Sequence, residues 1–293
     1  MTSLSTAPSS SCSVSPILSI QSHVALGHVG NGAAVPALLA AGFAPWAIPT
    51  AVLAHHPGRG GFVGRITPAA EVAALVAGVA ALPEFPSCVG VLSGYAGDPG
   101  TPEAMAGAVD ALRRVRSGAP YLCDPVLGEL GQGLYVHGDL PERMGRLLLP
   151  RATVVTPNPF ELALLTGRAA PPATPEEALE AARDLRARGP EVVVVTGLRL
   201  GGGEIGVLLV DGQEPHLSRQ DFVTGVESVK GTGDLLAAWL MAHLARTPVA
   251  GMERRIDPGH LDSLTERLGD LLRQAHRLGT PEIPFVGLST CGC

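Results

Sequence analysis

Gly231-Thr232-Gly233-Asp234 opens an apolar run with helical spacing, carried by Leu235, Leu236, Leu240 and Leu244. Such a start aims backbone N–H groups at one point, where they and the helix dipole favour an anion. The two glycines let the backbone approach a phosphate closely. The Asp234 carboxylate, beside the same amides, could take the proton of a hydroxyl that attacks phosphorus. The same four residues also read as a glycine turn in which Asp caps a helix. Other acids weigh on the choice. Cys123-Asp124-Pro125-Val126 places an acid at the C-terminal end of a strand-like run, where open α/β sheets bind ligands. Thr156-Pro157-Asn158-Pro159-Phe160-Glu161 does so at the next strand, with Asn158 and Glu161 at the mouth of a following helix. Each alone is a strand-end turn residue or an N-cap. Together, oxygen-bearing side chains beside an anion site suit Mg²⁺, and the set implies phosphoryl transfer from a nucleotide.

Other motifs carry less. Gly201 to Gly206 fits G-x-G-x-x-G, but a strand-like run rather than a helix follows, so no pyrophosphate would meet a helix N-terminus. No Walker A spacing occurs. The adjacent His55 and His56 would face opposite ways on an extended segment, which argues against a shared zinc. Cys123 reads as core, and Cys291 and Cys293 as a frayed tail.

The elements that must position these groups alternate short apolar runs with Ala- and Leu-rich helical stretches, the pattern of parallel strands joined by crossover helices. Strands are expected over 16–20, 46–48, 88–92, 121–123, 153–156, 192–196 and 205–210, the last entering a hairpin at Asp211-Gly212. Thr67-Pro68, Thr101-Pro102 and Thr174-Pro175 each read as a cap followed by proline at the first helical position. Thr174 with Glu177 reads as a capping box. Gly118 and Gly189 mark helix ends. Further helices are expected over 159–165, 234–244 and 261–278, and 171–173 reads as a loop. Residues 1–15 read as a disordered leader and 16–293 as a single domain.

The chain has 293 residues, 46% hydrophobic and 16% charged, which excludes disorder as its general state. A net charge of −6 spread along the chain leaves no basic footprint for nucleic acid or an anionic membrane. The uncharged stretch 32–49 is broken by Pro36, Pro45 and Pro49 and barely reaches the roughly 18 residues of a membrane span. Five cysteines, an odd number, point to a reducing cytoplasm rather than a disulfide framework.

Several strings resemble the ribokinase superfamily and, within it, the pyridoxal kinases. They are Leu18-Ser19-Ile20-Gln21-Ser22-His23-Val24, Gly27-His28-Val29-Gly30-Asn31, Leu92-Ser93-Gly94-Tyr95-Ala96-Gly97, and the three acid-bearing strings above. The likeness covers roughly 17–244, and its first two strings are the ones specific to the pyridoxal kinases. It implies a three-layer α/β/α ribokinase-like fold with a mostly parallel central sheet. It also implies transfer of the γ-phosphoryl of ATP, the co-substrate, to the 5′-hydroxymethyl group of pyridoxal, with pyridoxine and pyridoxamine as further acceptors. A homodimer is implied too.

Residue by residue, the resemblance makes Asp234 the base and the amides of Gly231, Thr232 and Gly233 the anion hole. Asn158 and Glu161 look like the element that positions Mg²⁺ through water, with Asp124 the nearby acid of the metal and phosphate region. Glu129 matches a position that is acidic in some members. Thr196 matches a nucleotide-binding position. Ser22 and Thr50 match residues that hold the pyridine ring, Tyr95 an aromatic of the cleft, and His56 a histidine of the covering loop. Departures fall at Val52, His55 and Arg59, on the 51–60 segment expected to cover the substrate, where Arg59 is expected to supply charge to the phosphates. Lys230 reads as a cation near the phosphates or as solvent-facing, the latter preferred. Two other functions fit the same strings: a kinase for another hydroxymethyl heterocycle such as hydroxymethylpyrimidine, and a non-catalytic pyridoxal 5′-phosphate binder. The second has no use for a base and a metal site.

Overall fold

The computed structural model describes residues 14–226, 229–246 and 256–285. Most of the expected 1–15 leader and the Cys291/Cys293 tail lie outside them. Strands are β1 (Pro16–Leu26), β2 (Ala44–His55), β3 (Gly64–Ile66), β4 (Gly90–Ser93), β5 (Tyr121–Cys123), β6 (Gly128–Glu129), β7 (Gly133–Leu134), β8 (Val154–Val155), β9 (Val192–Leu200), β10 (Glu204–Val210) and β11 (His216–Asp221). Helices are α1 (Asn31–Ala40), α2 (Ala69–Ala80), α3 (Thr101–Val115), α4 (Leu140–Leu147), α5 (Pro159–Thr166), α6 (Pro175–Arg186), α7 (Thr232–Arg246) and α8 (Pro258–Leu278).

Nine strands form one sheet in the order β11-β10-β9-β8-β5-β4-β1-β2-β3. The run from β9 to β2 is parallel, and β3, β10 and β11 add antiparallel edges. Alternation along the strands builds the layers. Leu18, Ile20, Tyr121, Cys123, Val155, Val193 and Val195 pack on one face with α2 to α6. Ile17, Leu122, Val154, Val192 and Val194 pack on the other with α1, α7 and α8. This is the expected three-layer α/β/α arrangement with a mostly parallel sheet. Among the described residues no helix is long and apolar enough to cross a membrane.

After β1 the chain winds outward to β2 and β3, then returns to lay β4 on the other side of β1. The crevice beyond the carboxyl ends of the strands at such a reversal is where doubly wound sheets bind ligands. Tyr95, Asp124 and Thr156 lie just past the ends of strands there, while Ser22 and Thr196 lie within β1 and β9.

Local expectations met tertiary constraints unevenly. Thr174 does cap α6, its hydroxyl accepting from the Glu177 N–H at 3.2 Å. The reciprocal half of the box is displaced, because the Glu177 carboxylate accepts from the Ala173 N–H instead. Thr67 and Thr101 cap nothing: Pro68 and Gly100 hold the cap positions of α2 and α3, and both hydroxyls are buried without partners. Gly201–Gly203 forms a 3-10 turn that leads into β10, so no helix follows the glycine motif. The 51–60 segment is less of a loop than expected. Residues 51–53 continue β2 and pair with β3, and only beyond His55 does the chain leave the sheet.

The core makes a direct stability prediction. Leu122 is fully buried between β5 and α7, whereas Leu75 on α2 is 42% exposed. Leu122→Ala should cost about 2–5 kcal/mol in urea unfolding, and Leu75→Ala within about 0.5 kcal/mol of nothing.

Candidate active site

Gly231 caps α7, its carbonyl accepting from the Leu235 N–H at 2.9 Å, so the N–H groups of the next residues point outward. Gly233 is exposed. Only glycine fits at 231: φ is +91°, and a Cβ there would lie 1.7 Å from the His28 carbonyl oxygen. The turn is thus seated directly on the loop after β1. Gly30 repeats the constraint, with φ at +54° and room for no Cβ against the Ser22 carbonyl. Asp234 joins the two loops, because its carboxylate accepts from the Gly30 N–H and from its own. It keeps part of its surface accessible while protein crowds the carboxyl, and burial pushes its pKa up to about 6.

Two further acids face it. Asp124, past the end of β5, is buried and accepts from the Thr156 hydroxyl at 2.9 Å. Burial, then the charges of Asp234 and Glu161, hold its pKa well above the usual carboxylate range. Glu161 is buried too, and burial raises it to about 7 even though the N–H groups of Asn158, Leu127 and Gly128 stabilise its charged form. Asn158 and Glu161 form a capping box at the start of α5, so the N-cap reading holds. The cap also aims Glu161 inward, where its second oxygen takes the Leu127 N–H at 2.8 Å. Asn158 Nδ2 donates to the Gly128 carbonyl.

Val126, between Asp124 and that N–H pair, has φ +46°, a costly conformation for a β-branched residue. No sequence signal marked it, since Asp-Pro-Val is ordinary turn composition. The strain is what turns the Leu127 and Gly128 amides onto Glu161. Tyr135, beyond β7, was also missed. Burial and then the Glu161, Asp124, Glu129 and Asp234 charges raise its hydroxyl pKa, which places it beside the acids.

The ring-side residues gather at a bulge. The β1–β2 register slips between Gln21 and His23, and Ser22 sits at the slip. Thr50 is fully buried, its hydroxyl donating to the Tyr95 carbonyl at 2.5 Å. Tyr95 packs with Val24 and Ala51, and burial raises its phenol pKa. His56 caps the 3-10 turn Pro57–Arg59, accepting from the Gly58 N–H. Burial lowers its pKa, with Lys230 next, which sets the covering loop beside the anion turn. Thr196 lies within β9, its N–H on the Pro157 carbonyl.

Three groups depart from expectation. Lys230 does not extend into solvent but donates to Glu129 at 2.7 Å, with both side chains partly buried. Glu129 consequently faces a cation of the chain itself, and Gln132 donates to the same oxygen. Arg59 is paired with Glu282 rather than standing open toward the anion turn. Among the described residues no three His, Cys, Asp or Glu side chains converge on one metal position. The donor set near Asp234 is carboxylate oxygen, which suits a hard cation that keeps most of its waters.

The crowded acids set a pH dependence. Asp124, Asp234 and Glu161 bind protons more tightly in the fold than in the unfolded chain, so the native state carries more protons between about pH 4 and about pH 7. Their contribution to stability therefore falls as pH rises through that window. Asp124→Asn should raise the Tm of the ligand-free protein by about 2–6 °C at about pH 8 and leave it nearly unchanged at about pH 4, measured by scanning calorimetry.

Comparison with known proteins places this geometry. Residues 99–250 match the family model described as phosphomethylpyrimidine kinase. The pyridoxal kinase PdxY of Deinococcus radiodurans is 39% identical over 277 residues, covering 92% of this chain and 90% of its own. That of Granulibacter bethesdensis is 33% identical over 291 residues, covering 94% and 97%. Among solved structures, the pyridoxal kinase of Leishmania donovani in complex with ADP and ginkgotoxin superposes with a TM-score of 0.81, at 27% identity over 93% of each chain. The matched family model begins after Ser22, Thr50 and Tyr95, whereas the two bacterial relatives extend over nearly the whole length, ring side included. The chain belongs to the pyridoxal kinase family, with the ribokinase-like fold.

Proposed function

We infer that the chain transfers the γ-phosphoryl of ATP to the 5′-hydroxymethyl group of pyridoxal, with pyridoxine and pyridoxamine as further acceptors. The observation that carries this reading is the junction at Asp234: one carboxylate, at the anion turn of α7, is hydrogen-bonded to the loop that follows the ring-side strand. A hydroxyl held between Ser22, Thr50 and Tyr95 on one side and the turn on the other would meet that carboxylate.

In this reading Asp234 takes the hydroxyl proton as the oxygen attacks phosphorus. The amides of Gly231, Thr232 and Gly233 stabilise charge on the transferring group, the larger effect in such reactions. Thr196, beside the 157–158 turn, serves the nucleotide. Asp124 and Glu161, with Glu129 at the rim, would hold Mg²⁺ largely through water. When bound, the ion neutralises phosphate charge and relieves the repulsion among the acids. Lys230 supplies a fixed positive charge next to Gly231. A homodimer in the cytoplasm completes the proposal, on family resemblance and on cysteine usage respectively.

A pyrimidine kinase is the second reading, favoured by the family model that matches 99–250. An assay of ATP consumption with Mg²⁺ across pyridoxal, pyridoxine, pyridoxamine and hydroxymethylpyrimidine separates the two. Preference in kcat/KM for pyridoxal, with product absorbing as pyridoxal 5′-phosphate, is expected; preference for the pyrimidine would move the function to that substrate. Asp234→Asn should lower kcat by about 10²- to 10⁴-fold while calorimetric ADP affinity stays within about threefold. A near-normal kcat would overturn the role of Asp234 as base.

A further inference from the structure

The segment that follows α8 crosses three loops of the site. Gly279 ends the helix in the left-handed region, and the chain then runs over the turn and the loop after β1. Ile283 is buried, and its Cδ1 lies 3.5 Å from where a Cβ on Gly231 would stand. The Phe285 ring meets the His28 ring edge-on, with centroids 4.6 Å apart. Between these apolar contacts stands Glu282. One of its carboxylate oxygens accepts from the Arg59 guanidinium, and the other is 3.4 Å from His28 Nδ1. That nitrogen is buried and makes no hydrogen bond in this arrangement. The backbone hydrogen bonds of residues 59–61 close within the covering loop. Phe62 and Val63 at its far end are exposed. Among the described residues the Arg59 pair is therefore the side-chain tie that carries this loop across to the rest of the site.

We propose that Glu282 is a positioning residue for the transfer reaction, clasping the covering loop through Arg59 and the ring-side loop through His28, so that both are fixed against the Gly231 turn. The inference rests on the kinase reading for its effect on turnover, but not for its effect on the loop. A partly exposed ion pair adds little to global stability. It can nonetheless shift the population of a loop whose other bonds are internal, and apparent affinity scales with the competent fraction.

The test is a cycle of Glu282→Gln, Arg59→Gln and the double variant. It is read by KM and kcat for pyridoxal, by Tm, and by amide hydrogen exchange over 57–63. Each single variant should raise KM about 3- to 10-fold with Tm within about 2 °C of wild type, and exchange over 57–63 should quicken. The double variant should be no worse than the poorer single, since the two residues act as one unit. Additive losses, unchanged exchange, or a loss of activity that tracks a fall in Tm would overturn the clasp. Wild-type protein that consumes no ATP with any of the four acceptors would instead refute the kinase reading, while the exchange arm would still decide on the clasp.

Discussion

Like charges crowded together out of water are the constraint around which this site is organised. Burial raises the pKa of Asp124, Glu161 and Asp234, and the charge of Asp234 adds to the rise at the other two, as that of Glu161 does at Asp124. A fold tolerates such a group only if something else holds it together. Here the compensation is mostly backbone: three N–H groups on Glu161, the Gly30 amide on Asp234, and the Thr156 hydroxyl on Asp124. Those donors are aimed by strain and close approach, at Val126 with its positive φ and at Gly30 and Gly231, where no side chain fits. A cationic ligand would relieve the repulsion without any rearrangement of the chain.

The sheet makes the crowding possible. Strands β1, β4, β5, β8 and β9 end on one side, so residues distant in sequence arrive at one edge without long loops. Reversal of winding at β1 opens the crevice between the ring side and the acid side. Helix α7 then points its N-terminus at that crevice from the opposite layer. The resting electrostatics are shared with the rim: Lys230 on Glu129 and Arg59 on Glu282 place two cations of the chain beside the anion turn, each held by a carboxylate.

Much of this was legible because the signals are local. Buried parallel strands read as continuous Val, Ile and Leu runs, and β9 falls where the longest of them is. Thr174 announced α6 because its cap is made within four residues. Legibility failed where a distant partner chose. Helix α1 contains Pro36 and no side-chain cap, and it exists because Ala34, Ala37 and Leu38 pack into the core beside α7. The extension of β2 through residues 51–53 is held from both sides, by β1 past its register slip and by β3, a strand of three residues too short to show a pattern. Thr67 and Thr101 look like caps in sequence and are not, since the chain turned one residue away from each.

The sequence by itself determined the chemistry on offer and its chain addresses. A glycine pair before an acid and an apolar helix, two acids at strand ends, and the family's ring-side strings are patterns of adjacent residues. Adjacency fixes backbone conformation and hydrogen bonding over a few residues. What only the tertiary structure decided is which charges meet. Lys230 lies 101 residues from Glu129, and Arg59 lies 223 from Glu282. Coulomb energy depends on distance and surrounding dielectric rather than on order along the chain, so whether an acid meets a lysine, an arginine or another acid is settled when the layers pack.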